Sequence, residues 1–336
     1  MNISIQDVSF TVTETVEESA EKMHHQSFYE DVITGLAASP KKLQSKYFYD
    51  TAGDKLFQDI MKAPEYYLTN CEMEIFSEQK HELAAILTNQ FKSFDLIELG
   101  AGDATKSVHL LEHLLQNKVD FTYLPIDIST NVIEQLLHKL PKQLPGLQMH
   151  GLNGDYFDML KEARQLSDRP KVVLFMGSNI GNMPVKEASA FCVALQQELS
   201  VGDLVIIGFD LKKNPKTILA AYNDAAGITK NFNLNLLTRI NRELDADFNL
   251  NQFDHYPVYD PQTGSCKSFL VSLVEQKVKV GSTIIQFEEN ELIDMEVSQK
   301  YSLAETAKMA IEAGFEPVKH FFDTKKWFVD AIWKCV

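Results

Sequence analysis

Between Phe94 and Asp210, short apolar runs rich in β-branched and aromatic residues alternate with longer stretches whose apolar positions recur at helical spacing. Runs of that kind, each followed by a helical stretch, are the pattern of a mostly parallel sheet with crossover helices. Strands are expected at Asp95 to Leu99, Tyr123 to Ile128, Lys171 to Met176 and Leu204 to Phe209. Val132, Ile133, Leu136, Leu137 and Leu140 share one helical face, with Ser129 or Thr130 placed to cap the first turn. Pro184 can open a helix running to Leu199, because its missing N–H costs nothing at the first helical position. Further on, Ser302-Leu-Ala-Glu305 forms a capping box for a helix through Glu312, which Gly314 can end in a left-handed conformation. Two last runs, Phe315 to Phe322 and Trp327 to Trp333, are joined by Asp323-Thr-Lys-Lys and predict an antiparallel pair that closes the sheet.

Two segments break this rhythm. His24 to about Glu72 is rich in aromatic residues (Tyr47, Phe48, Tyr49, Phe57, Tyr66, Tyr67), and Leu211 to about Ser298 begins helical and turns β-rich from Ser268 to Phe287, with a Gly281-Ser282 turn. Together they predict a smaller α+β domain built from residues 23–72 and 211–299, beside a larger α/β domain of 73–210 and 300–336. Residues 1–22 are left as a polar leader.

Composition narrows the partners. The chain has 336 residues with 32 Lys and Arg against 47 Asp and Glu, a formal charge of −15 that repels phosphate backbones and anionic lipid. Neither nucleic acid nor a membrane is an expected partner. No apolar run approaches the roughly 18 residues of a spanning helix, and the acid-rich stretch Met1 to Lys22 lacks the basic start and apolar centre of a signal peptide. Cys71, Cys192, Cys266 and Cys335 are scattered without a CxxC or a Cys/His cluster, which predicts free thiols in a reducing, cytoplasmic setting and no structural zinc. His24-His25 and the i, i+4 pair His109 and His113 lack metal-ligand patterns, so no metal is expected. The sequence carries no reading of oligomeric state.

The chemistry concentrates after the first strand. Asp95-Leu-Ile-Glu-Leu-Gly100-Ala-Gly102-Asp-Ala-Thr-Lys106-Ser reads as a strand, a glycine turn and a helix start, either a plain tight turn or a seat for a flat or anionic ligand. A dinucleotide fingerprint or a P-loop wants glycine where Thr105 stands, so a nucleoside without a pyrophosphate fits better. Asp127 ends the next strand, where its carboxylate can accept from two ribose hydroxyls or cap the helix near Ser129. Asp155-Tyr156 follows where a third strand would end and can hold an adenine edge and face.

This combination of E-L-G-x-G, a strand-end acid and a later acid-aromatic pair is similar to that of S-adenosylmethionine-dependent methyltransferases. Further blocks sharpen the likeness: Pro40-Lys-Lys-Leu, Lys46-Tyr-Phe-Tyr-Asp50, Gly53-Asp-Lys-Leu-Phe57, Pro64-Glu-Tyr-Tyr-Leu-Thr69, Phe175-Met-Gly-Ser-Asn-Ile-Gly-Asn182, Leu219-Ala-Ala-Tyr222-Asn-Asp224, Asn241-Arg-Glu-Leu-Asp-Ala-Asp-Phe248 and Glu296-Val-Ser298. In that order they resemble the histidine-specific Nα-methyltransferase family of ergothioneine biosynthesis. The resemblance implies a Rossmann-like methyltransferase sheet with an antiparallel C-terminal strand, a substrate-binding smaller domain, and S-adenosylmethionine as cofactor. It implies that Gly100, Gly102 and Lys106 form the cofactor loop, that Asp127 contacts the ribose, and that Asp155 and Tyr156 line the adenine pocket. It places Gly177, Asn182 and Tyr222 around the α-amino and α-carboxylate groups of a small-molecule amino acid, with Tyr49 near the amine. Tyr66, Glu296 and Ser298 match positions that receive the imidazole ring. Tyr49 and Asn182 are the residues expected nearest the chemistry, and the implied product is the trimethylated betaine, hercynine. From Phe253 to Ser272 the likeness is weak, which leaves another aromatic amino acid such as tryptophan, or a derivative, open as the substrate. A non-catalytic binding protein on the same fold and a phosphate hydrolase built on the near-miss P-loop are the remaining readings.

Overall fold

Sheet strands form at Ser93–Leu99 (β1), Asp120–Asp127 (β2), Leu152–Asn153 (β3), Lys171–Phe175 (β4) and Leu204–Asp210 (β5), and all but the short edge strand β3 are mainly apolar, as strands covered on both faces require. Phe315–Phe322 (β6) and Phe328–Cys335 (β7) complete a seven-stranded sheet of order β3-β2-β1-β4-β5-β7-β6. The structure is a computed structural model and describes residues 25–336. The leader expected over residues 1–22, and His24 of the histidine pair, lie outside the described residues.

All ladders from β3 to β5 are parallel, whereas β7 runs antiparallel to both β5 and β6. The fold is therefore α/β with a mostly parallel sheet and an antiparallel C-terminal strand. Leu68–Glu78 (α1), Lys80–Gln90 (α2), Ser107–Gln116 (α3), Thr130–Gln143 (α4), Tyr156–Leu166 (α5), Val185–Gln197 (α6) and Leu303–Glu312 (α7) belong with this sheet. Ile97, Val173, Ile207, Phe209 and Trp333 form its fully buried centre. Because the chain builds outward from β1 to β3 and then returns to place β4 on the other side of β1, the loops after β1 and β4 diverge. In an open parallel sheet that is where a ligand crevice forms.

The local signals act as the sequence predicts. Ser129 caps α4 by accepting from Val132 N, the Ser302–Glu305 capping box is complete, and Gly314 is left-handed at φ +87°. Pro184 is the N-cap of α6 and not its first helical residue, since its ψ of 147° is extended.

The chain divides into two compact units. The larger comprises Tyr66–Ile218, Tyr259–Cys266 and Val297–Val336, and the smaller the described residues up to Glu65, Leu219–Val258 and Lys267–Glu296. These limits differ from those expected at four places, residues 66–72, 211–218, 259–266 and 297–299, all of which join the larger unit. Residues 66–72 belong with the sheet because α1 buries Leu68, Cys71, Ile75 and Phe76 along one face. Residues 211–218 do too, since Leu211 continues from β5 and its N–H bonds the Trp327 carbonyl.

In the smaller unit a helix over residues 25–37 joins Thr51–Lys62 and Ile228–Glu243. Asp50 caps the second of these by accepting from Gly53 N at 2.8 Å, and it also accepts from Asn235 at 2.8 Å and Arg242 at 2.7 Å. The Arg239 guanidinium donates to the Tyr47 carbonyl at 3.0 Å. A four-stranded sheet has the order Lys41–Lys42, Leu292–Gln299, Ser265–Ser272, Phe253–Tyr259. A separate hairpin, Gln276–Val280 and Thr283–Phe287, turns at Gly281 as expected. The β-rich region thus starts before Ser268: Phe253–Tyr259 is an edge strand, half-buried over most of its length, whose Pro257 obscures the alternation a buried strand shows.

Candidate active site

The turn after β1 needs glycine for a stated reason. Gly100 has φ +70°, and a Cβ there would lie 2.8 Å from the Tyr156 hydroxyl oxygen. Gly102 is also left-handed, at φ +53°, and faces open space. Asp127, at the end of β2, spans the turn: its Oδ2 accepts from Gly102 N at 3.2 Å and its Oδ1 from Ser129 N at 2.9 Å. The carboxylate therefore braces the glycine turn and the entry to α4 from within the protein. A carboxylate offers about four lone-pair sites, so acceptor capacity for a diol remains.

Tyr156 packs edge-on to Phe175 and Phe191. Burial first, then the charges of Asp127 and Asp155, push its phenol up to about 12, so it stays a hydrogen-bond donor. Asp155 is exposed and caps α5 by accepting from Phe157 N at 2.9 Å. Thr105, where phosphate-binding loops carry glycine, bonds Asp103 through its hydroxyl at 2.8 Å. An open glycine turn, a braced carboxylate and a phenol fit a nucleoside and lack the third glycine of a phosphate cradle.

Lys106 and Gly177 meet on one side chain that the sequence reading did not single out. Glu72 of α1 is 1% exposed; it forms an ion pair with Lys106 Nζ and accepts from Gly177 N with both oxygens, at 2.8 and 2.9 Å. Gly177, at φ +75°, starts the turn after β4 that leads into the 3-10 turn Asn179–Asn182. Asn182 ends that turn, exposed. Burial opposes the charge on Lys106, but Glu72, Asp330 and Glu98 outweigh it and raise its pKa. Asp330 on β7 is wholly buried; burial first, then the Glu72 carboxylate, raise it well above the carboxylate range.

A second network lies at the end of β5. The Asp210 carboxylate, fully buried, accepts from Tyr67 O–H at 2.8 Å and pairs with Lys213 and, at 2.8 Å, with Lys300. Lys300 Nζ also donates to Ser298 Oγ at 2.8 Å, so the expected ring-binding serine is tied to this network. Burial, reinforced by Lys300, lowers the Lys213 pKa against the pull of Asp210. Tyr66 stands half-buried just before α1.

The other expected residues belong to the smaller unit. Tyr49 is 47% exposed with its ring edge-on to Phe57 and Phe232, Tyr222 is buried, and Glu296 is half-buried on Leu292–Gln299, two positions before Ser298 on the same strand. Alternation along a strand gives the side chains of Glu296 and Ser298 the same face.

The residues missed had a visible signal. Glu72 sits among Leu68, Cys71, Ile75 and Phe76 on the apolar face of α1, and Glu98 interrupts the apolar run of β1. An acid in such a position is either paired or neutral. Glu98 accepts from Tyr123 O–H at 2.6 Å, and burial, opposed by that bond, pushes it up to about 7. Being raised, it keeps its proton in the folded state over a window, about pH 4.5 to 7, in which the unfolded chain has released it, so stability falls as pH rises through that window. Glu98→Gln is expected to remove this slope, worth at most about 3 kcal/mol. Denaturant melts of parent and variant at pH 5 and 8 check it; parallel pH dependences would contradict it.

Sheet order, glycine turn and strand-end acid together define an α/β methyltransferase that uses S-adenosylmethionine. A profile of the family described as histidine-specific, SAM-dependent methyltransferases matches residues 28–335, and the chain belongs to that family. It is 31% identical over 301 residues to a histidine N-alpha-methyltransferase of Mycobacterium tuberculosis, covering 89% of this chain and 92% of that one. It is 31% identical over 291 residues to ergothioneine biosynthesis protein 1 of Neurospora crassa, covering 84% of this chain and 32% of that longer one. Against a 4-dimethylallyltryptophan N-methyltransferase of Epichloe festucae var. lolii it is 31% identical over 200 residues, 57% of each chain. Among the described residues no helix is long and apolar enough to cross a membrane, and no group of three or more metal-ligating side chains is found.

Proposed function

We propose that the protein methylates the α-amino group of L-histidine, up to the trimethylated betaine. The family match across residues 28–335 carries this reading, supported by the relative of nearly equal length named for that activity. S-adenosylmethionine supplies a methyl group on a sulfonium, which a neutral amine displaces in line. The chain's contribution is then mainly alignment and exclusion of water.

In this reading Gly100, Gly102, Asp127, Asp155 and Tyr156 hold the nucleoside, with Asp127 accepting from the ribose hydroxyls and Tyr156 donating. Lys106 charges the same loop. Gly177, Asn182 and Tyr222 hold the amino-acid head and Tyr49 lies by the amine. Each transfer forms a C–N bond, breaks a C–S bond and leaves an ammonium that must shed a proton before the next. An α-amine titrates near ~8 in a peptide and somewhat higher in a free amino acid, so that loss near neutrality is a modest cost, and a phenol or water can carry the proton away. The growing quaternary cation suits an aromatic face such as Tyr49, worth roughly 0.5–2 kcal/mol. Tyr66, Glu296 and Ser298 receive the ring, with Glu296 accepting a charge-assisted bond from an imidazole N–H. A cytoplasmic location is part of the same proposal, resting on four scattered, buried thiols.

Steady-state competition between histidine and tryptophan tests the substrate. A higher kcat/KM for histidine is expected, and preference for tryptophan or its derivatives would overturn the assignment.

A further inference from the structure

One carboxylate joins two stretches of chain that are far apart in sequence. Lys106 lies in the loop after β1 and Gly177 in the loop after β4, the two loops that diverge at the β1/β4 switch point. Glu72, from α1, binds the side chain of one and the backbone N–H of the other. The surrounding fold makes room for it: a Cβ on Gly208 of β5 would come closer to Glu72 Oε1 than van der Waals contact allows. Gly208 also pairs with Asp330, the buried acid whose neutral form leaves Glu72 as the counter-ion of Lys106.

We propose that Glu72 is a positioning residue for methyl transfer, pinning the cofactor loop through Lys106 to the turn of Gly177 so that the two are held in one register. This deepens the proposed function and rests on it for the identity of the ligands. The chemistry suits the task. A buried carboxylate with a cation on one oxygen and a backbone donor across both has little freedom to move, and it transmits displacement of either loop to the other. Glutamine in its place keeps the size but accepts on only one atom and leaves Lys106 unpaired in a buried setting.

The test is a double-mutant cycle on binding of S-adenosylhomocysteine, measured by calorimetry on the full chain, with Glu72→Gln and Lys106→Met singly and together. Each single change is expected to weaken binding about tenfold, and the double variant to be no weaker than the weaker single, because both break one coupling. Steady-state kinetics add a second readout: Glu72→Gln is expected to raise the KM for the amino acid as well, through the Gly177 turn, although it touches neither ligand. Glu72→Asp, which keeps the charge but shortens the reach, is the second variant and is expected to weaken binding in the same way. Parental affinity in folded Glu72→Gln would overturn the proposal, as would multiplying effects in the cycle, or failure of both Glu72 variants to fold, which would make the carboxylate purely structural. The binding cycle does not depend on the amino-acid substrate. Failure of the parent to methylate histidine would sink the functional reading while leaving this cycle interpretable.

Discussion

Glu296→Ala is expected to lower kcat/KM for histidine by roughly a thousandfold, about 4 kcal/mol, while the affinity for S-adenosylhomocysteine stays within about twofold of the parent. The size follows from what truncation does to a hydrogen-bonded ion or dipole in a desolvated pocket: the partner loses its acceptor and gains no water in exchange. Glu296 is half-buried, so its carboxylate already stands partly away from solvent before any ligand arrives. An apolar aromatic substrate would not feel the loss, and discrimination between histidine and tryptophan is expected to collapse in the same variant. Unchanged histidine kinetics would remove Glu296 from the ring-binding set.

Asp127→Ala carries the second large effect. Its carboxylate accepts from Gly102 N and Ser129 N, and in the proposed complex it also accepts from the ribose diol. Hydrogen bonds to a charged acceptor contribute about 1.5–3 kcal/mol each, so two lost bonds and a slackened glycine turn are expected to weaken S-adenosylhomocysteine binding by several hundredfold. Asp127→Asn, which can still accept on one atom, is expected to fall between parent and alanine. Calorimetric titration of the three proteins checks the order. Equal affinity in parent and alanine variant would mean that the carboxylate serves only as the brace seen within the protein.

How much of this was legible in the sequence depended on the range of the interaction. β1, β4 and β5 read directly because strands covered on both faces are predominantly apolar, and the helix starts at Ser129 and Ser302 read directly because capping is a matter of three or four residues. Gly100, Gly102 and Asp127 were legible for the same reason: the turn and the strand end that follows it lie within one βαβ unit. Phe253–Tyr259 was obscure because an edge strand with a proline has neither full burial nor clean alternation. The largest omissions, Glu72 and the Asp210 network, are long-range by construction. Glu72 reaches Lys106 and Gly177, while Asp210 meets Tyr67 from before α1 and Lys300 from beyond β5. Nothing local announces such partners. What the sequence does show is an acid on an otherwise apolar face, and that signal was present at Glu72, Glu98 and Asp210 alike.

Mass spectrometry of histidine incubated with S-adenosylmethionine and the purified protein tests the central claim most directly. Sequential mono-, di- and trimethylated histidine is expected, with every added methyl on the α-nitrogen and none on the ring. Methylation of an imidazole nitrogen, or unmodified histidine beside a methylated tryptophan derivative, would contradict it.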